Sequence, residues 1–105
     1  MSAKLHVEWH PLALEDLDHF EIRGEMIWSP EIARKQREKL IRAALLLAKG
    51  IRAHRPVKSI PDVYGYYIPR TSFRIYYRIQ QETLIVLRYW HTSRDGITPL
   101  ELEAS

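Results

Sequence analysis

"TLIVLRYWH", residues 83–91, decides the fold. Leu84-Ile85-Val86-Leu87 offers no polar position to either face, so a strand here must be covered on both sides. That is the pattern of a central strand. Just upstream, "SFRIYYRIQ" (72–80) alternates, with Phe73, Ile75, Tyr77 and Ile79 on one face and Arg74, Tyr76, Arg78 and Gln80 on the other. "VYGYYIP" (63–69) is aromatic and stops at a proline. The connections "PRTS" and "QQET" are short, so these three strands form an antiparallel meander.

Further upstream the period changes. "KLHVEWH" (4–10) alternates as a half-buried strand, with Leu5, Val7 and Trp9 on one face. Pro11 suits the first turn of a helix. Ala13, Leu17, Phe20, Gly24 and Ile27 then recur at helical spacing, with acids 15, 16, 18 and 21 mostly outside, predicting a helix from about Pro11 to about Met26. "WSPE" restarts the helix: Ser29 caps, Pro30 begins, and Glu31 meets the positive end of the dipole. Ala33, Gln36, Leu40, Ala43, Ala44 and Leu47 form the inner stripe, and Lys49-Gly50 is the stop. Residues 51–61 carry two prolines and no period, and read as a loop. The order is β-α-α-β-β-β, an α+β fold with a helical hairpin packed on one face of a small, mainly antiparallel sheet. One domain spans 1–105, and its tail from about residue 97 is expected to be loosely held.

Composition narrows the function. The 105 residues contain no cysteine, which excludes disulfides and thiolate chemistry and suits a reducing cytoplasm. No apolar run approaches a membrane span, so a membrane partner is not expected. The net charge of +3 favours an acidic partner. His6 and His10 lie four apart on a strand, roughly 13 Å, and cannot share a metal. No metal and no cofactor are expected.

The basic residues of the sheet carry the chemical question. Metal-free RNA cleavage needs an acid, a base and cations around the phosphate. Arg74, Arg78, Arg88, His91 and Arg94 could supply these, with Tyr76 or Tyr89 stacking or moving a proton. Arginines on a solvated face that merely keep it wet fit equally well. Arg88 and His91, three apart, face opposite sides of a regular strand. On the second helix, Arg34, Lys35, Arg37, Lys39 and Arg42 make a basic face that is either solvated or a docking surface for an acidic partner.

"VEWHPLALEDL" (7–17), "SFRIYYRI" (72–79) and "LIVLRYWHTSRD" (84–95), in this order and spacing, resemble the RelE/ParE toxins of bacterial type II toxin–antitoxin systems. The resemblance spans about residues 5–95 and implies a cytoplasmic toxin of a plasmid-stabilisation or stress module, held in check by a cognate antitoxin. RelE-like members cut mRNA on the ribosome; for them Arg74, His91 and Arg94 fall near the catalytic positions. ParE-like members poison DNA gyrase without catalysis of their own. The RelE-like pattern has lysines on the strand before Arg74, where this chain has Gly65 and Tyr67, and the ending "LRYWHTSRD" looks ParE-like. The resemblance therefore favours a non-enzymatic gyrase inhibitor, with a metal-independent, ribosome-dependent mRNA endoribonuclease as the alternative. A module that has lost toxicity but still binds antitoxin also fits. Arg78, Arg88 and Tyr89 are the candidate target contacts. Arg34, Arg37 and Arg42 are the candidate antitoxin contacts.

Overall fold

The computed structural model describes residues 4–50, 54–94 and 96–103, with Leu100 and Glu103 described by their backbone. Residues 51–53 of the expected loop, Asp95 and the last two residues of the tail lie outside the described residues. Four strands, β1 (His6–Trp9), β2 (Tyr64–Tyr67), β3 (Phe73–Gln80) and β4 (Thr83–His91), form one sheet in the order β1-β4-β3-β2. The meander β2-β3-β4 is antiparallel, and β1 adds in parallel to β4. The apolar run is thus central, flanked by β1 and β3.

Helix α1 (Pro11–Ile27) begins where the proline ends β1. His10 is its N-cap: the imidazole Nδ1 accepts the Leu12 N–H at 3.1 Å. Helix α2 (Pro30–Ala48) begins as its sequence signals require, with Ser29 Oγ accepting from Ile32 N at 3.2 Å. Just past its end, Gly50 holds φ at 75° and donates to the Leu47 carbonyl at 3.0 Å. The hairpin closes tightly because Gly24 has no side chain: a Cβ there would sit 3.1 Å from Ala33 Cβ. Arg37 ties the helices together, donating to Asp18 and Glu21, each at 2.8 Å.

The hairpin covers one face of the sheet. Ala13, Leu17, Leu40, Ala44 and Leu47 pack there against Ile75, Tyr77, Leu84, Val86 and Tyr89. The other face is covered too. Ile60, Val63, Tyr76, Leu87, Trp90, Ile97 and Leu102 form a second buried cluster. This corrects the expectation of a loose tail. Residues Pro99–Glu103 form a short helix, α3, and Ile97 and Leu102 are only 6% and 4% exposed. A reciprocal cap holds its start: Glu101 N donates to Thr98 Oγ1 at 3.3 Å, and Thr98 N donates to Glu101 Oε1 at 3.1 Å. The physical reason is the apolar outer face of β4, which would otherwise meet water.

One irregularity sets the site. The β3–β4 register jumps from Tyr76↔Arg88 to Tyr77↔Val86, leaving Leu87 as an extra residue. Such a bulge reverses the alternation of everything beyond it. Leu84 and Val86 face the helices, and so, after the bulge, does Tyr89. Trp90 faces outward with Leu87.

Candidate functional site

β1 pairs with β4 only as far as Trp9↔Val86. Beyond that point the edge of β4 has lost its strand partner, and α1 supplies a replacement. Asp16 accepts the Tyr89 N–H at 3.0 Å and takes Arg88 in a two-pronged contact, Nε at 2.8 Å and Nη2 at 3.0 Å. The Asp16 hydrogen bonds hold the Arg88 guanidinium above its already high ordinary range, against the opposing effect of burial. Arg88, expected to contact a target, is thereby committed to the fold. Tyr89 is also withdrawn from that role. It is 2% exposed; its hydroxyl donates to the Leu40 carbonyl at 2.9 Å and accepts from Trp9 Nε1 at 3.1 Å. Arg37, expected at an antitoxin interface, is likewise engaged by α1.

Of the three residues matched to a ribonuclease, Arg74 stands apart from His91, whereas Arg94 reaches the cavity that His91 lines. Arg74 is exposed and stands opposite Trp90 in the register, on the outer face. Arg94 lies on that side too: its guanidinium is 3.7 Å from the Trp90 ring centre and 3.6 Å from Glu101 of α3. His91 is on the other face, its ring edge-on to Phe73 at 5.2 Å, with Phe73 in turn edge-on to Phe20 of α1 at 5.1 Å. The Ser93 N–H donates to His91 Nδ1 at 3.0 Å, which places the ring's proton on Nε2. Beside His91, a cavity of about 350 Å³ is lined by Asp16, His19, Arg23 and Arg94. His19 and Arg23 were missed from sequence. Their spacing of four places both on one helix face, but nothing in the residues points that face toward His91.

The two tyrosines considered for proton transfer, Tyr76 and Tyr89, are both buried. Burial pushes the Tyr77 and Tyr89 hydroxyls above the usual phenol range, although the Trp9 bond to Tyr89 works the other way. Tyr76 is buried in the outer cluster. Above about pH 10 an unfolded chain releases phenolic protons that the native chain retains, so stability is present below that pH and falls as pH rises past it. Melting temperature followed from pH 8 to 11 should decline at the alkaline end. The decline should be shallower in a Tyr77→Phe/Tyr89→Phe variant.

The second helix contributes a groove. Between α2 and β2 a hollow of about 430 Å³ has Ala43, Leu46, Leu47, Tyr66 and Ile68 as its apolar lining, with Lys39, Arg42 and Arg70 around it. Of the three expected docking arginines, Arg42 lies here and Arg34 is exposed elsewhere on the helix. Lys39 and Arg70 are additions; Arg70 sits in the β2–β3 turn at φ 64°. At the hairpin tip, Ile22, Met26, Ile27, Trp28 and Ile32 are exposed.

This fold is the one seen in toxins of the RelE/ParE class. The family model "ParE toxin of type II toxin-antitoxin system, parDE" matches residues 7–96, and the chain belongs to that family. Among solved structures, the chromosomal ParDE system from P. aeruginosa is similar at 23% identity and a TM-score of 0.75, covering 86% of this chain and 98% of that one. The RelBE2 toxin–antitoxin complex from Mycobacterium tuberculosis is similar at 20% identity and TM-score 0.57, covering 87% and 94%. The isolated E. coli RelE toxin is similar at 15% identity and TM-score 0.50, covering 95% and 94%. At these identities the three structures speak to the fold. No curated protein matches the sequence.

Proposed function

We propose that this chain inhibits DNA gyrase by binding it and is neutralised by a cognate antitoxin. The carrying observation is the split of the would-be catalytic set. Arg74 and His91 lie on opposite faces of the sheet. Cleavage of RNA requires acid, base and phosphate clamp around one phosphorus, within hydrogen-bond reach of the groups they serve. Of the other candidates, Arg88 is held by Asp16, and burial raises the Tyr89 hydroxyl above the usual phenol range. The ParE family match favours the gyrase target over the ribosome. Inducing the chain without its antitoxin should raise a DNA-damage response while translation continues. Rapid translation arrest with cut mRNA would replace this reading with the ribonuclease.

The α2–β2 groove is the place we assign to the antitoxin. Its apolar floor and basic rim suit a segment of alternating acidic and apolar residues that folds as it binds. Residues 55–57 already pair along the start of the β2 edge, with Val57 N to Val63 O at 2.8 Å and Gly65 N to Arg55 O at 3.0 Å. Reversing the rim with Lys39→Glu and Arg42→Glu should weaken antitoxin binding by about tenfold or more, most at low salt. Calorimetric titration checks this; unchanged affinity would move the interface elsewhere.

Arg94→Ala separates function from fold. The side chain is 53% exposed, so its loss should cost under about 1 kcal/mol. A melting curve and a growth assay on the same variant check it: near-native stability with reduced toxicity supports a target-contacting rim. Full toxicity would make Arg94 a solubilising strand-end residue.

A further inference from the structure

Arg78, expected to contact a target, is placed differently from the other arginines of the sheet. Its Nε is buried and has no hydrogen-bond partner. Arg88, by contrast, has Asp16, and Arg94 has Glu101. Burying a guanidinium donor without an acceptor is costly. Arg78 lines a cavity of about 460 Å³ on the outer face, together with Ile60, Ile85, Leu87, Leu102 and His10. His10 also lines this cavity, with its Nδ1 engaged by the Leu12 N–H at 3.1 Å. Two acids are near in the fold. Glu8 stands beside Ile85 in the register, and Asp62 lines the adjoining hollow with Arg78. Among the described residues neither forms an ion pair with Arg78.

We propose that this outer-face cavity binds a small amphipathic monocarboxylate, its carboxylate on Arg78 and its hydrocarbon against Ile60, Ile85, Leu87 and Leu102. One guanidinium matches a single negative charge better than a dianion. The aliphatic wall accounts for the tail, since a bare anion would gain nothing from it. The site is independent of the gyrase reading.

The test is a titration at constant ionic strength with acetate, butyrate, hexanoate and hexanol, following the Arg78 Nε–H resonance by NMR. A saturable shift is expected with the carboxylates. Affinity should rise roughly fourfold for each methylene that enters, leaving hexanoate at least about tenfold tighter than acetate. Hexanol should bind at least about tenfold more weakly than hexanoate, for want of the charge-assisted bond. Arg78→Gln, followed by the Leu87 and Leu102 methyl resonances, should lose saturable binding, and Arg78→Lys should restore part of it. The proposal is overturned if acetate and hexanoate bind alike, if hexanol matches hexanoate, if Arg78→Gln binds hexanoate normally, or if no carboxylate shifts the resonance saturably.

Discussion

Replacing Asp16 with alanine should lower stability by about 2–4 kcal/mol, because it removes an acceptor used three times. Arg88 Nε and Nη2 and the Tyr89 N–H all lose their partner at once. The Asp16 and Arg88 side chains are each only 16% exposed, so water replaces the carboxylate poorly. For a domain of this size each kcal/mol corresponds to about 4–8 °C in melting temperature. Asp16→Asn keeps an acceptor but loses the charge, and should fall between the two. Thermal unfolding of both variants checks the order. A loss under about 1 kcal/mol for Asp16→Ala would mean that the end of β4 holds without help from α1.

Leu87→Ala should cost about 2–4 kcal/mol through the cavity it leaves. Leu87 is the extra residue of the bulge and is 5% exposed within the outer cluster. The figure distinguishes a true second core from a solvated face. If α3 and the 57–63 segment cover the outer face as described, removing Leu87 should also loosen α3. Hydrogen exchange at Leu102 N, which donates to Thr98 O at 3.2 Å, should then accelerate along with the drop in melting temperature. A near-neutral Leu87→Ala would return the outer face to solvent and the tail to the loose state that its composition suggests.

The fold was largely legible in the residues. Pro11, the Ser29-Pro30 pair and Lys49-Gly50 mark three helix ends by local chemistry. The unbroken run Leu84–Leu87 requires a two-sided cover, and that places β4 at the centre. The tail was misread although its signal was present: Thr98-Pro99 followed by Glu101 is a capping box with proline in first position. The five-residue helix it starts has too few turns to show a periodic stripe. The site was much less legible. The bulge at Leu87 carries no glycine or other marker, yet it turns Tyr89 and His91 toward the helices and Trp90 away from them. Composition also cannot tell a free arginine from a committed one. Arg88 and Arg37 owe their partners to α1 acids that lie 72 and at least 16 residues away in sequence.

The proposed mode of action is occupation of gyrase, without cutting of RNA. The most direct measurement is ATP-driven supercoiling of relaxed plasmid by purified DNA gyrase, with the purified chain added in increasing amounts. Supercoiling should be inhibited in proportion to added chain, and stoichiometric antitoxin should restore it. Undiminished supercoiling at a large excess of folded, antitoxin-binding chain would contradict the account.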